Sequence, residues 1–278
     1  VTETSYTIES LQRGLRVLAL FSRATPTLSL SQIKDTVGLN KSTVYRILYT
    51  LEEAGYLERD PETRLYRPAL KVLQLGFTAI SSLEIRQVAR PFLRQLAEEV
   101  GRTASLSVLD GMEVVYIDRV RYLEVIGVML GPGSRIPAHC ASLGKAMLAF
   151  LPPEELHRRL DDVDFVPCTA NTITNLAKLE VDLAEVRRRG FAINDEEWVL
   201  GMRSTAAPIM DENDAVAGAI NVSVPAAEVS YEELISRFSP AVRATAAQIS
   251  AKLGYEALVS ERANILNEQE AIFAQDPK

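Results

Sequence analysis

The chain has 278 residues, between one and two ordinary domains, and is long enough to bury at least one full core. With 47% hydrophobic and 24% charged residues it has globular composition, and no run approaches the ~18 uncharged apolar residues of a membrane span. The net charge of −7 excludes a protein coated with nucleic acid over its whole surface, but residues 1–70 hold nine Lys/Arg against eight Asp/Glu, so the acidic excess lies elsewhere and a local DNA footprint is compatible.

Val1 to Glu9 lack the basic and apolar regions of a signal peptide, so a cytoplasmic protein is expected. Ile8, Leu11, Leu15 and Leu18 recur at helical spacing over 8–21. After a polar break, Leu30, Ile33 and Val37 predict a short helix with Ser29 as N-cap and Gly38 as left-handed terminator. A third helix follows the turn Gly38-Leu39-Asn40, with Val44, Ile47, Leu48 and Leu51 on one stripe. Strand-like 56–59 and 64–67 flank Asp60-Pro61-Glu62-Thr63 and read as a hairpin. Three helices and a hairpin make a winged helix-turn-helix over residues 1–67.

A linker helix over 68–82 carries the apolar stripe Leu70, Leu73, Phe77 and Ile80, too apolar to remain in water. A helix at 83–100 is perturbed by Pro91 and closed by Gly101. Strands then dominate, at 103–109, 113–120 and 124–130, with the Asp110-Gly111 pair as a hairpin signal. Helices are expected near 142–150, 153–160 and 176–189, strands near 191–194, 203–210 and 215–224, and a helix at 231–253. Hairpin strands mixed with helices give an α+β second domain over 83–254 rather than a doubly wound sheet; 255–278 forms a C-terminal extension.

The third helix has the chemistry of a major-groove reader. Lys41, Ser42 and Thr43 crowd small hydrogen-bonding groups and one cation at its start, where free N–H groups can receive phosphate. Tyr45, Arg46 and Tyr49 lie off the apolar stripe; Arg46 could read a guanine edge or hold a phosphate. Arg13, on the first helix, joins the candidate DNA-binding residues, and Arg64 and Arg67 on the hairpin are natural backbone or minor-groove contacts. Taken singly, each could instead be an ordinary solvated side chain.

Six blocks, in order, resemble the IclR family of bacterial transcription regulators: Ser10–Leu18 (SLQRGLRVL), Leu39–Leu48 (LNKSTVYRIL), Ile136–Ala149 (IPAHCASLGKAMLA), Gly190–Glu197 (GFAINDEE), Gly201–Pro208 (GMRSTAAP) and Ala219–Pro225 (AINVSVP). The resemblance covers about residues 8–253. It implies a GAF-like effector domain with a mainly antiparallel sheet, homodimers or homotetramers, double-stranded operator DNA as partner, and control of catabolic operons. Val125-Ile126-Gly127-Val128 with Gly131-Pro132-Gly133-Ser134-Arg135 resembles the branch controlling aromatic-acid breakdown, in which protocatechuate and 4-hydroxybenzoate regulators belong. No cofactor is implied.

By the same resemblance, a small carboxylate effector is received at Ser142 and Leu143, opposite Asn194, Ser204, Asn221 and Ser223, with Val125, Val128, Ile136 and Met202 as the apolar wall. The start of a helix at Ser142-Leu143-Gly144 agrees, since free N–H groups favour an acid. Asn194 stands where the family often has Asp, and Asn221 where it often has Ser. The plainer possibility is that Ser142 caps its helix and Asn221 satisfies strand backbone. Arg203 could meet the ligand or pair with Asp195 or Glu196.

Three other signals point to different chemistry. Ser142-Leu143-Gly144-Lys145 matches the S-x-x-K motif of acyl-transfer enzymes, but no Ser-Asp-Asn or Lys-Thr-Gly partner occurs. Gly144-Lys145 lacks the rest of a P-loop. His139, His157, Cys140 and Cys168 match no structural zinc spacing, two cysteines make no disulfide framework, and Cys140 is expected to line the ligand pocket. Asp195-Glu196-Glu197 reads as a solvated turn.

Overall fold

The computed structural model describes residues 6–22, 25–122, 130–161 and 163–255, which divide into two units, Val1–Ser82 and Leu83–Lys278. In the first, α1 (Glu9–Leu18), α2 (Leu30–Val37) and α3 (Lys41–Glu53) precede a two-stranded ribbon, β1 (Leu57–Arg59) and β2 (Tyr66–Pro68), and α4 (Lys71–Ser81). Local chemistry sets the boundaries. Ser29 and Gln32 close a reciprocal capping box at the start of α2, and Gly38 ends it at φ 70°, a conformation that costs glycine nothing. Asn40 then caps α3 by accepting from the Thr43 N–H at 2.9 Å. Val17, Ile33, Val44, Leu48, Leu57 and Tyr66 form the small core.

The apolar stripe of α1 is only partly used in that core. Val17 is buried, whereas Ile8, Leu11 and Leu15 stand 65%, 59% and 58% exposed. The stripe of α4 is exposed as well at Leu70, Leu73 and Phe77. Periodicity marks an apolar face without saying what covers it.

In the second unit, α5 (Glu84–Val100) leads into β3 (Thr103–Asp110) and β4 (Glu113–Val120), turned at Gly111. The expected strand at 124–130 lies mostly outside the described residues. A three-residue β5 (Arg135–Pro137) and one 3-10 turn (Ala138–Cys140) lead to α6 (Ser142–Leu148). Next come α7 (Pro153–Leu160), α8 (Leu176–Arg189), β6 (Ala192–Asp195), β7 (Met202–Met210) and β8 (Val216–Pro225). The described residues end with a single turn, α9 (Tyr231–Glu233), a π-turn at Leu234–Phe238, and α10 (Ser239–Lys252).

The expected continuous helix at 231–253 is thus interrupted. Pro240 has no N–H to continue the α ladder, and the Ser239 hydroxyl donates to the Leu234 carbonyl at 3.0 Å in the widened turn.

The six strands form one sheet in the order β5-β4-β3-β8-β7-β6, with every neighbouring pair antiparallel. One face packs on α5 and α10 through Leu93, Ile220, Val222, Phe238 and Ile249. The other packs on α6 and α8 through Val114, Met147, Leu179, Leu183 and Ala219. Each such Val, Leu, Ile, Met or Phe side chain, fully buried, contributes roughly 1.5–3 kcal/mol of transfer free energy. A sheet covered on both faces should read as an unbroken apolar run, and β8 does not. Ile220, Val222 and Val224 face α5 and α10, and the alternate positions carry Asn221 and Ser223 into the α6 side.

Candidate functional site

On the first unit, Lys41, Ser42, Tyr45, Arg46 and Tyr49 are exposed along α3, and Thr43 is half-buried. The Tyr45 and Tyr49 rings stack with centroids 6.5 Å apart. Lys41, Arg46 and Arg64 make no ion pair among the described residues, so their charges are available to an outside anion. Arg67 is held by Glu58 at 2.5 Å, and Arg13 is bound to Glu9. Those two arginines would have to exchange a carboxylate for a phosphate. At the ribbon turn, Asp60 accepts from the Glu62 and Thr63 N–H groups, which holds its carboxyl below the usual aspartate range. Arg64 follows at φ 60°, placing a cation at the tip of the wing in a conformation that glycine would adopt more easily.

On the second unit, the start of α6 faces the polar row of the sheet across a small cavity. Ile136, Ser142, Leu143, Asn194, Met202, Ser204, Asn221 and Ser223 all line it, together with Tyr116, Ala141 and Trp198. Register explains the convergence. Asn194 on β6 pairs with Ser204 on β7, Ser204 with Ser223 on β8, and Asn221 with Ser105 on β3. Val125 and Val128 lie outside the described residues. The cavity has about 10 Å³ for the centre of a water-sized sphere, which is room for one water.

Its polar groups are tied to each other and to backbone rather than to charges. The Ser142 and Ser204 hydroxyls share a hydrogen bond at 2.7 Å, and Asn221 Nδ2 donates to Ser223 Oγ at 3.3 Å. Asn194 donates to the Cys140 carbonyl and accepts from the Glu197 N–H. Asn221 Oδ1, on a side chain 3% exposed, has no hydrogen-bond partner among the described residues. Ser142 is therefore no helix cap: Ala141 holds that position, and no side chain caps α6. Burial pushes the Tyr116 hydroxyl well above the usual tyrosine range and keeps it neutral.

Behind the cavity, Lys145 is completely buried on α6. Its Nζ lies 2.7 Å from Glu197 Oε1 and 2.9 Å from Asp182 Oδ2. Burial raises the Glu197 carboxyl, with Lys145 opposing. The reading of Asp195-Glu196-Glu197 as a solvated turn is corrected here: Glu197 is 7% exposed and anchors the only fully buried lysine among the described residues. Cys140 is also corrected. It is buried, but its thiol points away from the cavity towards Cys168, 3.7 Å away. Arg203 is engaged by Asp195 and by the Ala226 and Val229 carbonyls.

Comparison with known proteins decides what this pair of units is. The sequence profile of the IclR helix-turn-helix domain matches residues 10–61, and that of the bacterial transcriptional regulator IclR C-terminal domain matches residues 77–251. The chain belongs to the IclR family of transcriptional regulators. The HTH-type transcriptional regulator XynR of Escherichia coli is 32% identical over 250 residues, covering 90% of this chain and 99% of that protein. The Pca regulon regulatory protein of Pseudomonas putida is 33% identical, covering 88% and 84%. The crystal structure of the Thermotoga maritima IclR superposes with a TM-score of 0.70 at 30% identity, covering 88% of this chain and 99% of that one.

IclR membership gives the helix-turn-helix its partner, DNA, and the second unit its role as the ligand-binding domain of a regulator. It also removes the S-x-x-K enzyme: the families matched are regulators, and Lys145 is bound to two carboxylates while Ser142 pairs with Ser204. Sequence reasoning missed Tyr116, Trp198 and the Lys145 cluster. A lysine inside the apolar run of α6 was the available signal, because an isolated charge there needs partners.

Proposed function

We propose that this IclR-family regulator holds operator DNA with α3 and the wing and senses a small carboxylate, an aromatic acid by preference, in the cavity beneath α6. The observation that carries the ligand site is Asn221 Oδ1: a buried acceptor without a partner among the described residues, in a cavity where the polar side chains of Ser142, Asn194, Ser204 and Ser223 also converge. Unmet polar groups of this kind are costly unless something meets them. A carboxylate would take the Ser142 and Leu143 N–H groups and the Ser142 hydroxyl, as charge-assisted hydrogen bonds. A ring would lie among Ile136, Met202, Tyr116 and Trp198. A hydroxyl on the ligand would donate to Asn221. The aromatic reading is supported by these rings and by similarity to the Pca regulon regulator.

Space for one water is far below the ~300 Å³ of an ordinary ligand pocket, so binding must part the side chains that now fill the cavity. That expansion separates ligand-bound from ligand-free protein, and only such a difference can shift DNA affinity. The domain reading is 1–67 for DNA, 68–82 for the linker, 83–254 for a GAF-like effector domain and 255–278 for an extension. The exposed stripes of α1 and α4 support a homodimer or homotetramer, and the cytoplasm is the compartment proposed for it.

A thermal-shift screen of aromatic and short-chain acids, followed by calorimetry, tests the site. Asn221→Leu removes the acceptor and fills the space, so the best acid should bind at least about tenfold more weakly, roughly 1.4 kcal/mol. A folded variant that binds as tightly as the parent would place the site elsewhere.

A further inference from the structure

We propose that Cys140 and Cys168 are a modification site that a hydroperoxide converts to an intramolecular disulfide. They are the only two cysteines in the chain, 28 positions apart, and the fold brings their sulfurs to 3.7 Å. A disulfide needs about 2.05 Å, so each sulfur would move by roughly 0.8 Å if the shift were shared. Cys168 lies on the segment between α7 and α8. Its N–H and that of Thr169 are held by the Thr172 hydroxyl, which keeps the thiol beside Cys140.

The two thiols differ in the way a sensor pair requires. Cys168 is exposed and can meet the oxidant; Cys140 is fully buried, and burial pushes its thiol well up, which protects it from direct attack. In the first step the Cys168 thiolate attacks the hydroperoxide. An S–O bond forms, the O–O bond breaks, and the expelled alkoxide (hydroxide, from hydrogen peroxide) takes up the proton given up by the Cys168 thiol and leaves as an alcohol (water). In the second, the Cys140 sulfur attacks the resulting sulfenic acid, the S–S bond forms, the S–O bond breaks, and the hydroxyl leaves as water with the proton from Cys140. Two thiols and one hydroperoxide give one disulfide, one alcohol and one water.

The bond would tie two supports of the cavity together. Cys140 offers its carbonyl to Asn194 two residues before Ser142, and the Cys168 segment holds the Glu197 carbonyl through Thr169 and Thr172, next to Trp198. The cross-linked cavity would resist opening, so an acid should produce a smaller thermal shift in the oxidised protein. This consequence rests on the effector reading; the cross-link does not.

The test exposes the full chain to hydrogen peroxide, counts thiols under denaturing conditions and maps the peptides. Both thiols should disappear together, appear as one linked peptide pair within a single chain, and return with dithiothreitol. The oxidised chain should melt several degrees higher. Cys168→Ser should keep its Cys140 thiol, and Cys140→Ala should leave Cys168 as a sulfenic acid that dimedone traps. Persistence of both thiols under peroxide that oxidises free glutathione would overturn the proposal. So would loss of Cys168 alone, or links only between chains.

Discussion

Arg46 and Arg13 show how much one side chain's partners matter. Both lie beside the groove between α1 and α3, but Arg13 is occupied by Glu9, and Arg46 is exposed without an ion pair among the described residues. A free guanidinium on a reading helix can make a bidentate contact to a guanine edge or a phosphate at no cost in broken ion pairs. Arg46→Ala should therefore weaken operator binding by ~1–3 kcal/mol and relax specificity, as read by titrations on operator and scrambled duplexes at fixed salt. Unchanged affinity for the operator would remove Arg46 from the interface. The polar residues Ser204, Asn221 and Ser223 on β7 and β8 were legible through the resemblance to the IclR family rather than from local pattern; only Asn221 and Ser223 alternate with apolar neighbours, while Ser204 lies between Arg203 and Thr205. Their hydrogen bonds were not, since those depend on register between strands far apart in sequence.

At the scale of elements, α6 is held closer to its neighbour than its sequence announces. A Cβ on Gly144 would sit 2.2 Å from the Ala138 carbonyl oxygen and 2.4 Å from its Cα, so the helix packs directly on the preceding 3-10 turn. Glycine is used here for approach rather than for an unusual φ. Gly144→Ala should force the turn and helix apart, lower the melting temperature of the second unit by several degrees and weaken acid binding, because Ala141, Ser142 and Leu143 all line the cavity. Thermal melts and calorimetry on the same variant check both effects; a parental melt would show that the turn relaxes freely. Helix starts with capping residues, such as Ser29 and Asn40, were legible. The π-turn before Ser239 and the three-residue β5 were not, because each depends on packing more than on local pattern.

For the whole molecule, the exposed apolar residues concentrate in the first unit. Ile8, Leu11 and Leu15 on α1 and Leu70, Leu73, Leu75 and Phe77 on α4 are all more than half exposed. Apolar patches of this extent mark association surfaces, and two copies joined there would present two reading helices to a pseudo-palindromic site. The order of the two domains could be read from the sequence, since a helix-turn-helix has local signals and the six family blocks run in sequence. What covers these stripes could not be read, because an apolar period marks a face without naming its partner.

The central claim is that a small acid in the second unit changes how the first unit holds DNA. Sedimentation of the full chain with a labelled operator duplex, with and without the best acid from the thermal-shift screen, tests it most directly. We predict at least two chains per duplex, and a shift in bound fraction on adding the acid that Asn221→Leu suppresses. A single chain on a half-site, with a bound fraction indifferent to saturating acid, would contradict the account.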